Sequence, residues 1–224
     1  MNQPGTSSKT VPARRDSCVY LANPNNPTGL PMDSGRLRDF CRKVGPKALV
    51  IVDEAYNELA ENPARDTLID LVRDGQNILV TRTFSKIFGM AGMRVGYGLG
   101  RPDIIAKTFK YIMAWPNGIG LTAAYHSYID KEFIAFSRNK VLEGRAMVEK
   151  TLADVGLNPV GSDANFVFVD SGRDGMVVRK AMADEGVLIN EGYEGYPHYI
   201  RISMGRLEDL QTFDRVFKRV MARA

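Results

Sequence analysis

Little in this chain invites metal or disulfide chemistry. Its 224 residues include two cysteines and two histidines. Cys18 and Cys41 form no CxxC and have no metal-ligand spacing, and His126 and His198 stand alone, so the usual zinc patterns are excluded. Cys18 falls in an apolar, strand-like run and Cys41 on the apolar side of a helical pattern, so both read as core thiols. No apolar stretch reaches the length of a membrane span. The polar opening MNQPGTSSKTVPARRDS holds no hydrophobic signal core, and a cytoplasmic protein is expected. One-sided charge is lacking too: 30 basic and 26 acidic side chains leave a net charge of +4. With no basic run, that charge reads as solvated helix faces and not as a nucleic-acid surface. There is no internal repeat and no low-complexity segment.

What is present is ordinary globular composition, 44% hydrophobic and 25% charged, enough for one or two domains with a sizeable core. Residues 1–17 read as a flexible tail. After it, short apolar runs alternate with helical patterns, which predicts an α/β fold with a mostly parallel sheet. The runs are CVYLA (18–22), ALVIVD (48–53), NILVTR (77–82) and RVGYGLG (94–100). Their near-continuous apolar character predicts strands buried on both faces.

Asp33 is a fair N-cap for a helix carrying Leu37, Phe40, Cys41 and Val44 on one side. Further helices are predicted over 67–73, 103–113 and 120–129, and a long one over about 131–155 with Val141, Val148, Leu152 and Val155 on one face. After Gly156 the pattern changes. Strands are expected at NFVFVD (165–170), VLIN (187–190) and YIRIS (199–203), with helices over 176–185 and from Leu207 onward. This predicts a larger domain over 18–135 and a smaller α+β domain over 136–224 that includes the long connecting helix.

In an open parallel sheet, ligands sit beyond the carboxyl ends of the strands. The first three runs end in NPNNPTG (23–29), DEAY (53–56) and TFSK (83–86). Successive strand ends thus offer Asn26, an Asp53/Tyr56 pair and Ser85/Lys86, and Arg94 lies eight residues beyond Lys86. Each has an ordinary reading. NPNNPTG could be only a turn, Asp53 a helix cap, and Lys86 and Arg94 surface cations. A Ser–Lys hydrolase is not supported, because there is no S-x-x-K and no oxyanion loop beside Ser85. GYGLG does not fit the dinucleotide fingerprint G-x-G-x-x-G. The joint occurrence of these groups, in this order, argues against the ordinary readings.

NPNNPTG, IVDEAY, TRTFSKIFGMAGMRVGY and YIRISMG, spread from residue 18 to residue 205, resemble the aminotransferase class I/II family of pyridoxal 5'-phosphate (PLP) enzymes, fold type I. Within it they resemble the histidinol-phosphate aminotransferase branch. The resemblance implies that Lys86 holds the cofactor aldehyde as a Schiff base and that Asp53 faces the pyridine nitrogen. It implies that Tyr56 and Asn26 hydrogen-bond the ring hydroxyl, that Thr83, Ser85 and Arg94 approach the phosphate, and that Arg201 grips the substrate's acidic group. Lys86, Asp53 and Tyr56 are then the catalytic set, and Asn26 and Arg201 the substrate contacts. The implied reaction is transamination between an amino acid, or a histidinol-phosphate-like amine, and a 2-oxo acid, in a homodimer, with no nucleic acid and no membrane as partner.

Two departures from the family matter. Family members carry a large segment before NPNNPTG, with a backbone loop around the phosphate and an aromatic residue on the cofactor ring. Here only residues 1–22 precede Asn23, so a truncated product or fragment that binds PLP weakly by itself is expected. In the branch, a V-x-V-R strand places an arginine near the substrate's acidic end. The corresponding strand here is VLIN, with Asn190 in the arginine's place. One cation fewer favours a plain amino-acid donor. A decarboxylase or lyase on the same scaffold, or an inactive remnant, are the competing readings.

Overall fold

The computed structural model describes residues 17–190 and 192–223; the predicted tail, apart from Ser17, lies outside the described residues. The elements in chain order are β1 (Cys18–Ala22), α1 (Ser34–Val44), β2 (Leu49–Asp53), α2 (Pro63–Asp66), α3 (Ile69–Arg73), β3 (Ile78–Thr83), β4 (Gly96–Gly100), α4 (Pro102–Phe109), α5 (Gly118–Ile129), α6 (Lys131–Asp154), β5 (Phe166–Asp170), α7 (Gly175–Asp184), β6 (Tyr199–Ser203) and α8 (Leu207–Ala222). β1 to β4 form one sheet in sequence order; β1–β2 and β2–β3 pair parallel, β3–β4 antiparallel. β5 and β6 form a separate antiparallel pair. The expected mostly parallel α/β sheet followed by a smaller α+β part is therefore present.

Helix starts follow their capping chemistry. Asp33 accepts from Arg36 N at 2.8 Å and opens α1, as predicted. Asn117, Asp130 and Asp174 open α5, α6 and α7 in the same way, which satisfies backbone N–H groups that have no partner inside the helix. Leu37 and Cys41 of α1 pack with Leu68 and Leu71 against Val50, Val52, Ile78 and Val80. A second cluster joins Tyr56, Leu59, Phe84, Ile87, Phe88, Val95 and Phe166, with Ile134 and Val141 of α6 against it. A third gathers Val148 and Leu152 of α6 with β5, β6, α7 and α8. One helix of 24 residues thus serves two cores.

Several expectations are corrected. VLIN is not a strand. Gly186 turns the chain at φ +82, Val187 N bonds back to Met182 O, and only Asn190 N reaches β6, at Arg201 O. A single ladder bond does not make a strand; Ile189 is buried simply as part of the third core. The strand expected from Arg94 begins at Gly96, because Arg94 takes the left-handed conformation (φ 55) after a 3-10 turn. Gly96 itself is required: a Cβ there would stand 2.8 Å from Arg82 O on the paired strand. Phe40 points outward from α1. Cys18 is exposed, since β1 and β4 are sheet edges and are not buried on both faces, whereas Cys41 is fully buried. Burial pushes the Cys41 thiol up to about 11, as suits an inert core group.

Candidate active site

Parallel pairing places the ends of β1, β2 and β3 side by side. Ala22 stands opposite Asp53 and Asp53 opposite Thr81, and Asn23 N and Glu54 N continue the ladder to Asp53 O and Thr81 O. A cleft of about 490 Å³ opens there, with Tyr20, Asn26, Asp53, Tyr56 and Lys86 in its lining. A larger hollow of about 630 Å³ lies at the strands' opposite ends, against Cys18, Leu49 and Asn77. It gathers none of the predicted site residues.

Lys86 rises from a tight turn (Gly89 N to Lys86 O, 2.9 Å) whose neighbours Phe84, Ile87 and Phe88 are buried. Those anchors fix the lysine backbone while its ammonium stays in the cleft, 5.1 Å from the centroid of the Tyr56 ring. Tyr56 is itself buried and meets Phe166 edge-on at 5.4 Å. Asp53 caps no helix. Its Oδ1 accepts from Ala55 N at 3.0 Å and its Oδ2 from the Tyr20 hydroxyl at 2.6 Å. That bond to a carboxylate, aided by burial, pushes the Tyr20 phenol up to about 12.

The NPNNPTG loop is clasped by the later half of the chain. Asp163 N bonds Gly29 O at 2.8 Å, and Gly29 (φ +76) lies so close to Ser162 that a Cβ would collide with it. Arg201 of β6 donates to Asn26 Oδ1 at 2.7 Å. Its guanidinium is stacked 4.6 Å from the Phe166 centroid and 5.8 Å from that of Tyr193, and its Nε is buried with no hydrogen-bond partner among the described residues. Burial pushes the Tyr193 phenol up, against the opposing charge of Arg201.

The structure thus brings Asn26, Asp53, Tyr56 and Lys86 into one cleft and ties Arg201 to it. Thr83, Ser85 and Arg94 do not line it. Thr83 Oγ1 accepts from Ser85 N at 3.0 Å, and Arg94 is exposed and donates to Ala91 O at 2.9 Å. Asn190 accepts from Ser203 Oγ at 3.3 Å. Sequence reasoning missed Tyr20. The available signal was its place two residues before Ala22 on β1, on the face shared with Asp53 once the strands pair.

Fold and cleft define an α/β architecture of the kind that holds ligands at converging strand ends. The chain belongs to the aminotransferase class I and II family, whose model matches residues 6–217. Within that family it is similar to histidinol-phosphate aminotransferases. That of Symbiobacterium thermophilum is 37% identical over 208 residues, 92% of this chain and 57% of the relative. That of an Anaeromyxobacter species is 39% identical over 197 residues, 86% and 54% of the two chains. Among solved structures, a putative histidinol-phosphate aminotransferase from Erwinia carotovora superposes with a TM-score of 0.89 at 33% identity, over 93% of this chain and 61% of that one. The Sinorhizobium meliloti enzyme, crystallised in complex with pyridoxal-5'-phosphate, superposes with a TM-score of 0.83 at 33% identity, over 92% and 57%. The chain spans about half the length of the curated relatives it matches.

Proposed function

We propose that the cleft at the ends of β1–β3 binds PLP and serves a transaminase, moving an amino group between an amino acid and a 2-oxo acid. The observation that carries this reading is the Lys86 ammonium in the same cleft as the Asp53 carboxylate; among the described residues Lys86 makes no ion pair or side-chain hydrogen bond, only its contact with the Tyr56 ring. The donor set fits the cofactor: an amine for its aldehyde, a carboxylate for its ring nitrogen, and Tyr56 and Asn26 for its ring hydroxyl. When bound, PLP supplies an electron sink for the substrate's α-carbon.

The protein's own share follows from its side chains. Lys86 would bond the cofactor aldehyde and, once the donor's amine had displaced it, its free amine would carry a proton from the substrate's α-carbon to the cofactor's aldehyde carbon, two bonds away, as general base and then acid. Asp53 would face the ring nitrogen and favour its protonated form. Thr83, Ser85 and Arg94 are assigned to the phosphate, where an arginine adds charge-assisted bonds. Arg201 offers the substrate carboxylate a planar fork, and its unpartnered Nε supports that assignment. The neutral Asn190 favours a plain amino acid over a phosphorylated, histidinol-phosphate-like donor.

The same reading includes a division at about residue 135, supported by the two cores that α6 serves. It also includes a cytoplasmic homodimer. Support for association is that Phe109, Tyr111, Met113, Trp115 and Tyr125, close together in the sequence, all expose large apolar side chains, a cluster of the kind that marks contact surfaces. Among the described residues no helix is long and apolar enough to cross a membrane.

The test is to titrate the chain with PLP, follow the visible band of lysine-bound cofactor, trap it with borohydride and map the labelled peptide. Label on Lys86, lost in Lys86→Ala, is expected. A band and a trapped adduct that survive Lys86→Ala would overturn the assignment.

A further inference from the structure

We propose that Tyr20 is a positioning residue for Asp53, holding its carboxylate in the orientation in which it meets the cofactor ring; this rests on reading the cleft as the PLP site. The geometry begins with strand register. Ala22 of β1 pairs with Asp53 of β2, and Tyr20 shares Ala22's face. Two residues of strand span roughly 6–7 Å, about the reach of a tyrosine side chain, so the hydroxyl arrives at the neighbouring strand's end. It meets Asp53 Oδ2 at 2.6 Å, the length of a charge-assisted O–H···O bond.

The other carboxylate oxygen is taken by Ala55 N–H at 3.0 Å. One bond at each oxygen fixes the carboxylate's rotation, and each oxygen keeps acceptor capacity for a third donor. No basic side chain stands within ion-pair distance of Asp53 among the described residues, so Tyr20 is the side chain that holds its carboxylate there. Packing does not explain the tyrosine. Its ring is 60% exposed, and a phenylalanine would serve an edge strand equally well. The titratable groups in the cleft with it are Asp53, Tyr56 and Lys86. The raised phenol agrees with the geometry, because a phenolate beside a carboxylate is disfavoured.

The experiment compares the parent chain, Tyr20→Phe, Asp53→Asn and the double variant. The first readout needs no cofactor. With tyrosine labelled at Cζ, one resonance of the parent should still be that of a neutral phenol at about pH 11, where an ordinary tyrosine is mostly ionised. It should vanish in Tyr20→Phe and titrate earlier in Asp53→Asn. The second readout is the dissociation constant for PLP. Tyr20→Phe should weaken binding about 10-fold, the scale of one hydrogen bond to a charged group. In the Asp53→Asn background the same change should cost less than about 2-fold, a coupling that a merely structural tyrosine would not show. PLP binding that Tyr20→Phe leaves unchanged, or weakens equally in both backgrounds, would overturn this proposal alone. Failure of the parent to bind PLP would overturn the reading of the cleft and this proposal with it, while the tyrosine titration would still report whether the pair exists.

Discussion

Asp53 and Glu54 are adjacent acids at the end of one strand, and they live in opposite circumstances. Glu54 is fully buried. It accepts from Arg82 Nε and Nη2 at 3.1 and 2.7 Å, from the Thr67 hydroxyl at 2.8 Å and from Leu68 N at 2.7 Å. Arg82 also donates to Asn57 and stands by Glu58, whose carboxyl burial pushes up despite that positive charge. Asp53, one residue earlier, turns to the opposite face of the sheet, where it has two donors and an open cleft. The period of a strand separates them. A saturated buried network holds a backbone in one place, whereas a carboxylate with acceptor capacity left over can meet a ligand. The DEAY segment carries both: its glutamate anchors the strand end from which its aspartate is presented.

The sharpest way to break this comparison is Arg82→Met. It strands Glu54 in the interior without its cation, and breaking a buried pair from one side costs about 3–5 kcal/mol. Chemical denaturation should show that loss. A change under about 1 kcal/mol would mean that the network is not the anchor it resembles.

Asp53→Asn should behave in the opposite manner. Folding stability should stay within about 1 kcal/mol, since the site is partly open. Turnover in the PLP-loaded protein should fall at least ~10²-fold, the scale of losing one well-placed electrostatic or acid–base group. Single-turnover rates near those of the parent would contradict the assigned role.

Arg201→Ala should cost roughly 2 kcal/mol, the low end for truncating a buried charge pair, in binding an amino acid. An amine that lacks the carboxylate should lose little. Equal losses for both ligands would show that Arg201 serves the fold through Asn26, Phe166 and Tyr193 instead.

The smallest effect concerns pH. The Tyr20 phenol is raised in the folded chain, so its contribution to stability is fully present below the ordinary tyrosine value near ~10. It is lost as pH rises toward about 12. Because the pair is largely exposed, the loss should be under about 1 kcal/mol. Comparing the pH dependence of unfolding in the parent and in Tyr20→Phe checks this; identical profiles from about pH 9 to 12 would dismiss it.

Much of the fold and of the cleft is legible in the sequence. Parallel strands deliver their carboxyl ends to one side, so NPNNPTG, DEAY and TFSK had to approach one another once CVYLA, ALVIVD and NILVTR were recognised as neighbouring strands. Periodicity and capping are local properties, which is why α1, α6, α8 and β5 lie close to their expected positions. The tertiary structure decided what depends on distant partners. It left VLIN without a ladder, exposed Cys18 and Phe40, and turned Arg94 outward through a left-handed residue. It also joined Arg201 to Asn26 across 175 residues and Tyr20 to Asp53 across 33. A side chain's type is written in the sequence. The face it occupies and the donor that reaches it depend on register and packing, and those emerge only when whole elements meet.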